Sequence, residues 1–374
     1  MQNYTYSIVG GGMTAAAAVT GIREVDDKGS IGVIGAEPHP PYDRPPLSKG
    51  LWKDKPIESI WRKIDAQSLT FHLGRTAREL DPRNKRVIDD QGTVYTFSKL
   101  LLATGCTPRR LPFGGEQIIY FRTLDDYERL RGLTGHGDRF AVIGGGFIGS
   151  EVAAALAMNG KKVVLIFPDE AIGSRIYPAE LAKFLVALYR EKGVEVLAGA
   201  TVTGCESRQG TSVLKIRDAQ TNGERKVIAD GVIAGIGVQP NVELAQRAGL
   251  DVDHGIRVDA TLRTNQPDIY AAGFHSPAMN QWLRVEHEDN ANTMGRFAGV
   301  SMAGRAISYD HLSFFYSDLF DMGYEAVGEV DSRLETVADW KVRCKEGVVY
   351  YLREGRVRGV LLWNVWGQVD AVRS

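Results

Sequence analysis

The 374-residue chain holds only three cysteines, Cys106, Cys205 and Cys344, and they lie far apart. No C-x-x-C or C-x4-C pair exists, which excludes a local redox disulfide and a sequence-local zinc site. Each cysteine is expected to act as a small buried hydrophobe. An excess of one charge is also lacking. The 45 Lys and Arg residues against 46 Asp and Glu leave a formal net charge of −1, which weighs against broad attraction to nucleic acid or anionic membrane. No apolar run reaches membrane-spanning length. The opening "MQNYTYSIVGGG" enters a strand pattern at once, leaving no room for a signal or transit peptide and predicting a cytoplasmic protein. What is present is an ordinary globular mixture, 44% hydrophobic and 24% charged, in a chain long enough for two or three domains.

The first motif follows immediately. "YTYSIVGGGMTAAAAVTGIR" predicts a strand, a glycine turn and an alanine-rich helix from near Thr14, with Gly10, Gly12 and Ala15 matching G-x-G-x-x-A. A second strand, "SIGVIGAE", ends at Glu37, roughly 20 residues after the turn, where a dinucleotide site places the acid that bonds a ribose hydroxyl. The pattern recurs in "DRFAVIGGGFIGSEVAAALAMNGKKVVLIFPDE". There Gly144, Gly146 and Gly149 complete G-x-G-x-x-G, Phe147 to Met158 form the helix, and Asp169 and Glu170 follow the next strand. Each turn leaves backbone N–H groups at a helix N-terminus aimed at a pyrophosphate, and the helix dipole favours its negative charge. Two bound dinucleotides are expected.

An apolar strand exits at Ala103-Thr104-Gly105, and another at Gly235-Ile236-Gly237, bracketing the second motif. The fold class is therefore α/β, with two Rossmann-like dinucleotide-binding domains, the second inserted in the first, and a C-terminal α+β domain. The expected boundaries are 1–107 and 238–307 for the first domain, 108–237 for the second and 308–374 for the third. In the last, turns are expected at Glu346-Gly347 and Glu354-Gly355. The loop "PYDRPPLSKG", residues 41–50, carries three prolines, which fix φ and bias their predecessors toward extended backbone. Arg44 to Pro46 should be rigid, with Arg44 and Lys49 projecting.

These motifs, together with "LLLATGCTPR", "GIGVQPNVELA", "RVEHEDNA", "FFYSDL" and "MGYEAVGEV" in that order, resemble the flavoprotein pyridine-nucleotide oxidoreductases of the glutathione-reductase fold. Within that family the chain is most similar to the apoptosis-inducing-factor-like and ferredoxin reductase branch. The resemblance implies FAD on the first unit, NAD on the second and hydride transfer to flavin. Gly10, Gly12 and Ala15 would approach the FAD pyrophosphate, Glu37 its ribose, and Arg44 and Lys49 the flavin side. Gly144, Gly146, Ile148 and Gly149 would hold NAD, and Phe147 would cover the flavin face. Glu151 would accept from the nicotinamide amide and pair with Lys49, although a glutamate in a first helical turn also complements the dipole. The same resemblance places Ala103, Thr104, Gly105, Gly237, Gly273, Glu286, His287 and Tyr316 at the cofactors, with Glu325 as a further match.

Coenzyme choice has a physical basis. A 2′-phosphate near Asp169 and Glu170 meets like charge, costing roughly 1 to 4 kcal/mol, so NADH is expected over NADPH. Arg175 opposes this as a phosphate partner. One departure stands out: where the family carries an aspartate on the FAD ribityl chain, "AAGFHS" has Phe274, followed by His275. Losing a hydrogen bond to a charged group weakens binding by about 1.5 to 3 kcal/mol.

Without a dithiol beside the flavin, disulfide reduction is excluded, and the cysteine-free stretch from Asp43 to Leu47 weighs against the peroxidase relatives. Three functions remain. The first is an NADH:acceptor oxidoreductase reducing a quinone, dye or small electron carrier. The second is a ferredoxin or rubredoxin reductase, whose docking surface would draw on Arg109, Arg110, Arg129 and Arg131. The third is an NADH-gated interaction module that changes its third domain or forms a homodimer, with little turnover.

Overall fold

The computed structural model describes residues 1–64, 67–208, 210–219, 221–273 and 287–373. Its helices include α1 (Met13–Arg23), α2 (Leu124–Thr134), α3 (Phe147–Met158), α4 (Ala179–Glu191), α5 (Glu243–Arg247) and α6 (Glu288–Met302). The chain divides into two compact units. The first comprises residues 1–43, 57–107 and 239–313, and the second 44–56, 108–238 and 314–374. None of the described helices is long and apolar enough to cross a membrane.

In the first unit, strand Gln2–Val9 runs parallel to Ile31–Gly35 on one side and Val94–Leu102 on the other. Leu69–Leu73 extends the parallel set, Ile269–Ala271 pairs in parallel with Val94–Leu102, and Ala77–Asp81 and Arg86–Asp89 close it as an antiparallel edge. The central strands are buried on both faces and correspondingly apolar, as a parallel sheet covered by helices requires. Helices α1 and α6 meet without an intervening side-chain layer. A Cβ on Gly21 would collide with the Arg296 carbonyl, one on Gly295 with that of Thr14, and one on Gly299 with that of Ala18.

The second unit has a parallel sheet in the order Glu195–Ala198, Lys162–Phe167, Arg139–Ile143, Gly231–Ala234, Ile118–Tyr120. A three-stranded antiparallel sheet (Ala200–Arg208, Thr211–Asp218, Glu224–Ala229) shares its core, and residues 314–363 form a five-stranded antiparallel sheet.

Two local expectations are corrected. Arg44 is helical (φ −78°, ψ −35°) despite preceding Pro45, because its carbonyl accepts from the Leu47 N–H and opens a 3-10 turn over Pro45–Ser48. A second such turn spans Gly50–Trp52. In the C-terminal sheet the turn expected at Glu346-Gly347 falls earlier, at residues 343–345, with Cys344 at φ +55°. Gly347 lies inside strand Glu346–Arg353, where a Cβ would collide with the Asp339 carbonyl, so it serves close strand approach. The turn at Glu354-Gly355 stands where expected.

Candidate functional site: two glycine-capped helices

The glycines of the two turns answer to different demands. Gly10 has φ +121° and Gly144 φ +113°, and a Cβ on either would collide with a neighbouring strand exit, at the Ala103 and Gly235 carbonyls respectively. Gly149 is fixed by the Gly144 carbonyl in the same way, while its counterpart Ala15 is accommodated and buried. Gly12 and Gly146 are unlike these. As N-caps of α1 and α3 they take extended backbone open to any residue (φ −95°, ψ −161° and φ −85°, ψ −164°). Among the described residues no atom lies within 4 Å of where their Cβ would sit. Packing among the described residues therefore does not call for glycine there.

Neither α1 nor α3 has a side-chain capping bond. Helix α2 shows the alternative: the Thr123 hydroxyl accepts from the Asp126 N–H, and Asp126 Oδ2 accepts back from the Thr123 N–H at 2.8 Å. N-termini without a side-chain cap, a favourable dipole and cleared space at the cap fit a pyrophosphate at both turns.

Around the first turn, Glu37 is half-buried just beyond Ile31–Gly35, and its Oε2 accepts from the Tyr42 hydroxyl at 2.6 Å. Thr104 donates to the Asn241 carbonyl (2.6 Å), and the Asn241 amide returns a bond to the Thr104 carbonyl (2.9 Å). The Gly105 carbonyl accepts from the Asn241 N–H. A small cleft here is lined by Thr104, Gly105, Asn241, Gly255, Ala272 and Met294. Gly273 (φ +115°) donates its N–H to Met294 Sδ at 3.4 Å. His287 is the N-cap of α6. Phe274, His275 and Glu286 lie outside the described residues.

Around the second turn, Phe147 and Ile148 are half-buried, and Phe147 meets Phe315 edge-on at 5.5 Å. Asp169 is half-buried, Glu170 and Arg175 are exposed, and the Gly237 carbonyl accepts from the Arg109 N–H. Arg44, expected on the flavin side, donates to the Arg122 carbonyl at 2.9 Å. Glu325 accepts from the Gly367 N–H. The four surface arginines are each engaged locally: Arg109 on the Val238 carbonyl, Arg110 over Tyr120, Arg129 on the Glu116 carbonyl and Arg131 over Trp52.

The strongest polar feature is Glu151 on α3, 2% exposed and engaged at both oxygens. Oε2 accepts from Lys49 Nζ (2.8 Å) and the Ser48 hydroxyl (2.6 Å), and Oε1 accepts from the Ser317 hydroxyl (2.6 Å). The Lys49 ammonium also lies 5.2 Å from the Tyr316 ring centroid. Three buried phenols feel this carboxylate. Burial pushes Tyr177, Tyr189 and Tyr324 up from the usual tyrosine range, and the negative charge of Glu151 adds to the effect in each. Ser317, 166 residues from Glu151, carries no local signal in the sequence, whereas Ser48 stands beside an already suspected lysine.

The family model described as pyridine nucleotide-disulphide oxidoreductase matches residues 4–289, and the apoptosis-inducing factor C-terminal model matches residues 298–346. A Burkholderia cepacia protein named as the ferredoxin–NAD(+) reductase component of an anthranilate 1,2-dioxygenase system is 36% identical, covering 98% of this chain and 93% of its own length. A Drosophila melanogaster protein named for mitochondrial apoptosis-inducing factor 1 is 28% identical over all of this chain, which spans 63% of that relative's length. Among solved structures, the covalent putidaredoxin reductase–putidaredoxin complex superposes with a TM-score of 0.89 at 29% identity, over 99% of this chain and 92% of that one.

Proposed function

The chain belongs to the pyridine nucleotide-disulphide oxidoreductase family and is an FAD- and NAD-dependent oxidoreductase, and on that premise we propose how its residues divide the work. The carrying observation is the pair of glycine-capped, otherwise uncapped helices with open space at Gly12 and Gly146. Residues 1–107 and 238–307 hold FAD, 108–237 hold NADH, and 308–374 form the C-terminal domain. Gly10, Gly12 and Ala15 receive the FAD pyrophosphate and Glu37, oriented by Tyr42, its ribose. Ala103, Thr104, Gly105, Gly273 and His287 complete that site, Gly237 serves as a cofactor-binding residue of the second unit, and Arg44 fixes its own loop through the Arg122 carbonyl. Gly144, Gly146, Ile148 and Gly149 receive NADH, with Asp169 and Glu170 disfavouring a 2′-phosphate and Arg175 exposed nearby in sequence.

When bound, FAD supplies a two-electron acceptor that can release electrons singly or in pairs. Lys49 holds a fixed positive charge in a nearly dry setting, where a cation best stabilises developing negative charge. The Tyr316 ring lies against the ammonium, and Phe147, packed edge-on against Phe315, would cover the flavin face. The Glu151 carboxylate would accept from the nicotinamide amide when NADH is bound.

The acceptor we propose is a small electron-carrying protein of the ferredoxin class, supported by the relatives' names; a quinone is the second choice. The match of residues 298–346 to the apoptosis-inducing factor model keeps an NADH-gated module, acting as a homodimer, as the alternative of another class. Three free buried cysteines suit a reducing compartment such as the cytoplasm.

Anaerobic titration with NADH, then addition of ferredoxin, quinone or air, tests these readings. Bleaching of the flavin band and rapid recovery with ferredoxin are expected. A protein that stays colourless after FAD addition overturns the assignment, and slow recovery with every acceptor favours the module. Comparable kcat/KM for NADH and NADPH would remove the role of Asp169 and Glu170.

A further inference from the structure

Glu151 takes hydrogen bonds from three stretches of the second unit: the 3-10 turn with Ser48, the adjoining Lys49, and strand Phe314–Leu319 with Ser317. The three donors are not equivalent. Ser48 and Lys49 both address Oε2 and so anchor the carboxylate at a single oxygen. Among the described residues only Ser317 addresses Oε1, at 2.6 Å, from a hydroxyl whose residue is 1% exposed. A carboxylate oxygen has two acceptor sites, so Oε1 keeps one for a further donor.

We propose that Ser317 is a positioning residue for nicotinamide binding: it fixes Oε1 of Glu151 so that the remaining acceptor site is presented to the nicotinamide amide. This rests on the reading of Glu151 given above. It makes the C-terminal sheet a contributor to the nucleotide site, through one hydroxyl and without itself touching the nucleotide. A carboxylate anchored at one oxygen samples orientations that a two-point anchor forbids, and each lost orientation restraint is paid again on binding.

The test uses the full-length flavoprotein. Ser317→Ala removes the donor, Ser317→Cys keeps a similar volume with a weak donor and guards against misfolding, and Ser317→Thr restores a hydroxyl. NAD+ affinity is read by calorimetric titration and thermal unfolding is followed in parallel. Ser317→Ala and Ser317→Cys are expected to weaken NAD+ about five- to tenfold, the equivalent of one lost hydrogen bond, with Ser317→Thr close to wild type. KM for NADH should rise by a similar factor with kcat at saturation nearly unchanged, as for lost uniform binding. A lowered Tm with unchanged NAD+ affinity in both Ala and Cys variants overturns the proposal and leaves Ser317 a packing residue. Glu151→Gln separates the two levels. If it binds NAD+ as wild type does, the reading of Glu151 itself fails. If it binds weakly while Ser317→Cys does not, the positioning role alone fails.

Discussion

The two glycine turns share a backbone and differ in what lies behind it. Behind α1, the acid is Glu37, half-buried and tied to one phenol within its own unit. Behind α3, the acid is Glu151, set into the helix itself, almost wholly buried and held by a lysine and two hydroxyls. The first turn is thus a cradle built from neutral main chain, with its charge at the margin. The second carries a buried carboxylate on the helix that begins at the cradle, paired with a lysine from the loop that follows Pro45–Ser48. A static grip on a resident group needs only the former. A site that must exchange its ligand and respond to charge has use for the latter.

Breaking the cradle should have the largest effect. Gly144→Ala forces a side chain into a left-handed position and against the Gly235 carbonyl, and is expected to destabilise by about 3 kcal/mol or more in urea unfolding. A near-normal midpoint would show that the strand exit can yield. Glu151→Ala comes next. It leaves the Lys49 ammonium buried without its counter-ion, at a cost of about 3 to 5 kcal/mol, and Lys49→Met in the same chain should recover much of it. Absence of recovery would mean that the loss came from the serines.

A third effect belongs to the first unit. Burial alone would raise the Asp89 carboxyl, but the Tyr95 hydroxyl, the Thr93 and Gln91 N–H groups and the Arg75 charge outweigh it and hold the group below its ordinary 3.8. Its contribution is therefore present above pH 3.8 and lost as pH falls through the lower folded value. Asp89→Asn should flatten the acid limb of the stability profile, and an unchanged acid limb would show that other carboxylates set it. The smallest change in stability, under about 1 kcal/mol, is expected for Gly146→Ala, since nothing among the described residues opposes a methyl group there. Yet that variant should lose most NAD+ affinity, and unchanged affinity would remove the ligand as the reason for glycine at position 146.

Much of this arrangement was legible in the sequence because its determinants are local. The helix expected over Phe147 to Met158 forms over those residues, and the one expected from near Thr14 begins at Met13. The α/β class followed from strand–turn–helix order, which nearest neighbours dictate. What escaped depended on distant partners or on competition between local rules. Ser317 becomes informative only when the C-terminal sheet brings it to Glu151. The pre-proline bias at Arg44 lost to a hydrogen bond that closes a turn. Gly347 was read as a turn residue because glycine signals both tight turns and close backbone approach, and only the partner strand tells which.

The packing of α1 on α6 has a mechanical consequence. Where Gly21, Gly295 and Gly299 let main chain rest on main chain, there is no deformable cushion of side chains between the two helices. At those three points a displacement of α1 would meet the main chain of α6 directly. Occupancy at Gly12 would be felt along both rods together, as a stiffening of the pair against amide exchange.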